Sequence, residues 1–115
     1  MKVIENENTV FIDVDETLVL HCLSSEAGLF ITDPDTNEKL PVIEHKRHIG
    51  YLKKSKSRGR FVVVWSANGY RWAMTVVKAL GLTKYVDVCM TKPTVYFDDV
   101  PADSFMQRVY IKQGE

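Results

Sequence analysis

Four short clusters of reactive side chains stand along the 115 residues: Asp13-Val14-Asp15-Glu16-Thr17, Ser66-Ala67-Asn68-Gly69, Thr91-Lys92-Pro93 and Asp98-Asp99. Crowded carboxylates repel, and burying them unpaired is costly, so a divalent cation is the natural compensation. Oxygen donors select magnesium over zinc. Magnesium keeps few protein carboxylates, several waters and a substrate phosphate, a pattern that suits Asp13 with Asp98 or Asp99. Lys92 would then hold a second phosphate oxygen as a point charge, and Ser66 with the backbone amides of Ala67 and Asn68 a third. Asp13 and Asp15, two residues apart, take different roles if the metal keeps Asp13 ionised while Asp15 shuttles a proton. The chemistry so described acts on a phosphoryl group.

These clusters meet only if each follows a strand of one parallel sheet, because ligand sites in such sheets lie beyond the carboxyl ends of the strands. Val10-Phe11-Ile12 is a short apolar run that stops at Asp13 and predicts a buried strand. Phe61-Val62-Val63-Val64-Trp65 predicts the strongest strand, apolar on both faces as in a sheet covered by helices. Tyr85 to Cys89, Val95-Tyr96-Phe97 and Val109-Tyr110-Ile111 predict three more. Leu29 to Thr32 and Leu40 to Ile43, flanking a turn-rich Asp33-Pro34-Asp35-Thr36-Asn37, predict a β-hairpin. Pro41 is expected on an edge, since it cannot donate to a ladder. His45 to Lys56 predicts a short surface helix stopped by Gly59. Trp72, Ala73, Val76, Val77 and Leu80 recur at helical spacing up to Gly81, a C-terminal cap, which makes Trp72 a core residue. The order of elements predicts an α/β fold over residues 1–115: a single Rossmann-like three-layer sandwich with a mainly parallel sheet.

With the clusters in this order, the chain from Val10 to about Val100 resembles the haloacid dehalogenase superfamily, whose phosphatases carry DxDx(T/V), a Ser/Thr, a Lys and an acidic pair. Asp13, Asp15 and Thr17 in FIDVDETLV, Ser66 in VVVWSANG, Lys92 in TKP and the pair in YFDDV carry the resemblance. It implies a magnesium-dependent phosphatase. Asp13 attacks phosphorus to form an aspartyl-phosphate, and Asp15 protonates the leaving oxygen and then activates water. Thr17, Ser66 and Lys92 hold the phosphoryl group, and the carbonyl of Asp15 joins Asp13 and the acidic pair around the metal, with Asp98 favoured as the direct ligand. The second aspartate of the motif sets phosphatases apart from dehalogenases. Glu16 stands where the family often has glycine. Leu18 to Arg60 leaves no room for a large cap domain, so the hairpin at about 29–43 is expected to act as a flap over an open site.

Such a site suits a small phosphoester, such as a nucleotide or sugar phosphate, or the 3′-phosphate of a nucleic acid. Lys and Arg number 15 and Asp and Glu 15, so no long-range basic field argues for nucleic acid. A local basic patch of His45, Lys46, Arg47, His48, Lys53, Lys54, Lys56, Arg58 and Arg60 reads first as a solvated helix face. His21 and Cys22, close behind the first motif, are candidates for lining the site, although both read first as packing or turn residues. Two cysteines without C-x-x-C spacing fit reduced thiols. With no apolar run long enough for a signal peptide or membrane span, a cytoplasmic protein is expected. The competing reading is a non-catalytic phosphate-binding or phosphoacceptor module on the same fold.

Overall fold

The computed structural model describes residues 1, 3–5 and 8–114. Along the chain come β1 (Thr9–Asp13), β2 (Val19–His21), β3 (Leu29–Thr32), β4 (Lys39–Glu44), α1 (Lys46–Ser57), β5 (Phe61–Ser66), α2 (Tyr70–Ala79) and β6 (Val88–Thr91). The fold is α/β. β1, β5 and β6 make a parallel sheet in that order, and β2, β4 and β3 a small antiparallel one. The register sets Asp13 beside Trp65 and Ser66 beside Thr91, so three of the reactive clusters emerge from one sheet edge.

Side chains alternate across a strand, and the two faces of the parallel sheet have different company. Ile12, Val62 and Val64 lie in one buried cluster with Leu52 of α1 and with Trp72, Ala73, Val76 and Val77 of α2. Both helices therefore cover the same face. The topology explains this: two successive right-handed crossovers that advance in one direction across a sheet lie on one side of it. On the opposite face Phe11 is 42% exposed and stacks on Trp65, ring centroids 4.4 Å apart.

Several expectations change here. Val95, Tyr96 and Phe97 form no strand and are exposed, and 109–111 is irregular too. Strand propensity largely measures packing on a half-buried surface, and this run has none to pack on. Between them lies only a 3-10 turn, Ala102–Ser104. Tyr85 belongs to another 3-10 turn, Thr83–Tyr85, so β6 starts only at Val88. The hairpin is not isolated, because β2 pairs with β4 through Val19↔Glu44, Leu20↔Ile43 and His21↔Val42. Pro41 consequently sits in a central strand. Its carbonyl accepts from Cys22 N–H at 3.3 Å and its missing donor points the same way, so the one ladder bond it forfeits is the reciprocal bond to Cys22, just past the last residue of β2. His45 and His48 are buried and drop out of the basic surface. Lys56 pairs with Asp87 at 2.7 Å, Lys53 lies over the Tyr85 ring, and Arg60 reaches Tyr51 and Ser55. Among the described residues no helix is long and apolar enough to cross a membrane.

Candidate active site

The loop after β1 is a tight turn on one carbonyl. Val14 O accepts from the N–H groups of Thr17, Leu18 and Val19 at 3.1, 2.8 and 3.3 Å, and Glu16 N–H returns to Val19 O at 2.8 Å. Closing it puts Glu16 at φ 61, a left-handed conformation that favours glycine. Val14, Leu18 and Val19 are fully buried and anchor the turn in the core, which leaves Asp13, Asp15 and Thr17 at the sheet edge.

The two aspartates meet different surroundings. Asp13 faces a cation and a hydroxyl: Lys92 Nζ lies 3.9 Å from Oδ1, and Thr17 Oγ1 donates to Oδ2 at 3.2 Å. Asp15 is held by three N–H donors. His21 Nε2 and Trp72 Nε1 reach Oδ1 at 2.7 and 3.0 Å, and Asn68 Nδ2 reaches Oδ2 at 2.8 Å. Those donors come from β2, α2 and the loop after β5, so Asp15 knits three elements together. His21 was expected to pack or turn, and Trp72 to fill the core. Trp72 is 3% exposed and does both, burying its ring and aiming its one donor outward. His21, a site-lining candidate from its place close behind the motif, does reach the site, at Asp15.

Ser66 is buried, and its Oγ accepts from Asn68 N–H at 3.0 Å, so it shapes the loop after β5 and occupies the Asn68 amide. Ser66 O accepts from Lys92 N–H at 2.8 Å and from Gly69 N–H at 3.1 Å, tying that loop to the end of β6. Tyr70 N–H, at the start of α2, donates to Thr91 Oγ1 at 3.0 Å. Gly69 carries φ 104, a value that L side chains rarely adopt. Of the two amides expected to bind phosphate, that of Ala67 stays open among the described residues. The tip of the β3–β4 hairpin is pinned toward this edge by Arg71, whose guanidinium reaches Asp35 Oδ1 at 2.6 Å.

Asp98 and Asp99 are exposed in irregular chain, and Asp98 Oδ1 accepts from Val100 N–H at 3.1 Å in a local turn. Among the described residues no three His, Cys, Asp or Glu side chains are gathered to hold a metal ion. The Asp15 carboxylate is taken up by N–H donors, which leaves its backbone carbonyl, with Asp13 and the exposed acidic pair, as the groups that would hold the expected magnesium. What the edge does assemble is Asp13, Asp15, Thr17, Asn68 and Lys92, a carboxylate facing an ammonium group beside a second carboxylate held in place by three donors. Compared with known proteins, the chain matches no family model, no curated protein and no solved structure.

Proposed function

We propose that this protein is a phosphomonoesterase that works through Asp13, on a small phosphoester such as a nucleotide or sugar phosphate or on a nucleic-acid 3′-phosphate. The observation that carries the reading is the unequal treatment of two aspartates two residues apart. Asp13 lies 3.9 Å from Lys92 Nζ, while Asp15 is fixed by His21, Asn68 and Trp72. A carboxylate beside a lone ammonium group is a nucleophile next to the charge that would neutralise an incoming phosphoryl oxygen. A carboxylate oriented by several donors is a group whose proton must move along a set direction.

In the proposed reaction an Asp13 oxygen bonds to phosphorus while the bond to the substrate's oxygen breaks, and Asp15 gives that oxygen its proton. Water then attacks the acyl-phosphate, Asp15 takes the water's proton, and phosphate leaves with Asp13 restored. Lys92 and the Ala67 amide bind phosphoryl oxygens, and Thr17 orients Asp13. The Rossmann-like reading of the fold is supported by the β1-β5-β6 order and by the site's place beyond the strand ends. A third layer would need further chain over the Phe11 and Trp65 face. Magnesium belongs to the proposal as a requirement to be measured, since its binding would need Asp98 or Asp99 to join Asp13. A cytoplasmic location is likewise proposed.

The unassembled acidic pair favours one second reading, a module that binds or accepts phosphate without turnover. An assay of the purified protein on nucleotides, sugar phosphates and 3′-phosphorylated oligonucleotides, with magnesium and with chelator, decides between the two. Turnover lost in Asp13→Asn supports the proposal. Turnover that survives Asp13→Asn sinks the covalent route, and phosphate binding without turnover establishes the module. Salt-sensitive oligonucleotide binding that is lost on neutralising Lys53, Lys54 and Arg58 would select the nucleic-acid substrate.

A further inference from the structure

The carboxy-terminal stretch 108–113 runs back to the loop that carries Asp13 and Asp15 and is fastened there as a strap. Tyr110 Oη donates to Glu16 O at 3.1 Å, Ile111 N–H to His48 Nε2 at 2.8 Å and Gln113 Nε2 to Glu44 O at 2.8 Å. The middle bond depends on the protonation of a buried ring. His48 Nδ1 lies 2.7 Å from Thr17 O, and a carbonyl only accepts, so Nδ1 carries the proton. Nε2 then holds the lone pair that the Ile111 N–H needs. One ring thus grips the loop with its donor and the strap with its acceptor.

The surroundings leave no room for a second proton. The His45 ring stacks on His48 at 3.7 Å, and the Tyr110 ring meets it edge-on at 4.9 Å. His45 Nδ1 accepts from His48 N–H at 3.2 Å, capping α1, and His45 Nε2 is buried without a partner. The charged groups around the strap are Glu16 and Glu44, whose backbone carbonyls it uses, Arg108 over the Tyr110 ring, Lys112 of the strap itself, and Arg47 and Lys54 of α1, which line a cavity with Ile111. Among the described residues neither histidine forms an ion pair with a carboxylate.

We propose that His48 is a positioning residue that works as a pH-sensitive latch: neutral, it holds the Thr17 carbonyl and the strap together, and a proton on Nε2 releases the strap from the Asp13 loop. The new N–H would point at the Ile111 N–H, so the bond is replaced by a clash of donors, and a charge enters a buried aromatic stack. Burial pushes the His48 ring below the usual histidine range, the bond to Thr17 pulls the other way, and the His45 ring adds to the lowering. The strap is accordingly docked at neutral pH and freed in acid. The latch stands on geometry alone. Any effect on turnover rests on the phosphatase reading.

The test is amide exchange and histidine ring titration by NMR on the full chain from pH 7.5 to 4.5. The Ile111 protection factor should fall by up to about tenfold per pH unit as pH drops toward the midpoint of the His48 ring titration and be lost below it, while Val64 in the sheet stays protected. His48→Gln, which keeps a donor and an acceptor but does not titrate, should hold Ile111 protection constant across that range. Constant protection in the wild type, a midpoint unlike that of the His48 ring, or the same acid loss in His48→Gln overturns the latch. If His48→Gln does not fold, the match of the two midpoints in the wild type decides alone. Absence of phosphatase activity at every pH would sink the proposed function and leave this result standing.

Discussion

The indole of Trp72 is buried in the core, yet its Nε1–H donates to Asp15 Oδ1 at 3.0 Å, so one side chain both packs α2 on the sheet and aims the carboxylate that we propose transfers the proton. Trp72→Phe retains most of the apolar volume and removes the donor. Turnover should fall about tenfold, the equivalent of one hydrogen bond to a charged group, with KM little changed. A fall in KM affinity with kcat intact would show that the bond serves binding instead.

Lys92 is the one cation placed against Asp13 among the described residues. Lys92→Met keeps the stem and removes the charge, and kcat should drop about a hundredfold or more, as for loss of one preorganised electrostatic contact. Retention of wild-type kcat would move the phosphoryl group away from Asp13.

Asp87 ties β6 to β5. It accepts from Lys56 Nζ and from the Val62 N–H, both at 2.7 Å. Burial would raise its pKa, but the Lys56 ammonium and the Val62 amide outweigh it and hold the carboxyl below its usual range. A lowered carboxylate contributes stability that is present above the unfolded value, about 3.9, and is lost as pH falls through the folded one. Asp87→Asn keeps an acceptor for Val62 and should cost under about 1 kcal/mol. Asp87→Ala strands a buried donor in the central strand and should cost about 1–3 kcal/mol. Denaturant titrations at pH 7 and pH 3 check both, and the wild-type advantage over Asp87→Ala should shrink at the lower pH.

Glu16 holds a left-handed conformation at φ 61 while its Oε1 accepts from His21 N–H at 3.0 Å. Glu16→Gly relieves about 1 kcal/mol of backbone cost and loses a bond of similar worth, so unfolding stability should stay within about 1 kcal/mol of wild type. Glu16→Val keeps the strain, adds a branched Cβ and loses the bond, and should cost about 2 kcal/mol. Equal stability of the two variants would rule out the left-handed turn.

Much of the parallel sheet was legible in the sequence because its strands carry their own signature. Phe61 to Trp65 is apolar on alternate and intervening positions alike, and Asp13, Ser66 and Lys92 each stand at or just past the end of such a run, so their convergence needed only the rule that parallel strands end on one edge. The hairpin and both helices were legible for the same local reason, from turn residues and apolar spacing. The run Val95-Tyr96-Phe97 has strand composition too, but a strand exists only with a neighbour to bond and a surface to cover, and neither is coded within three residues. Asp98 and Asp99 follow it in the same exposed, irregular chain.

By itself the sequence determined the α/β alternation and the order in which Asp13, Ser66 and Lys92 leave the sheet, since both follow from short-range pattern. Only the tertiary structure decided what surrounds them. His21, Asn68 and Trp72 come to Asp15 from 6, 53 and 57 residues away, and Ile111 comes to His48 from 63. Contacts at such separations depend on how the elements cross in space, and no periodicity along the chain records that.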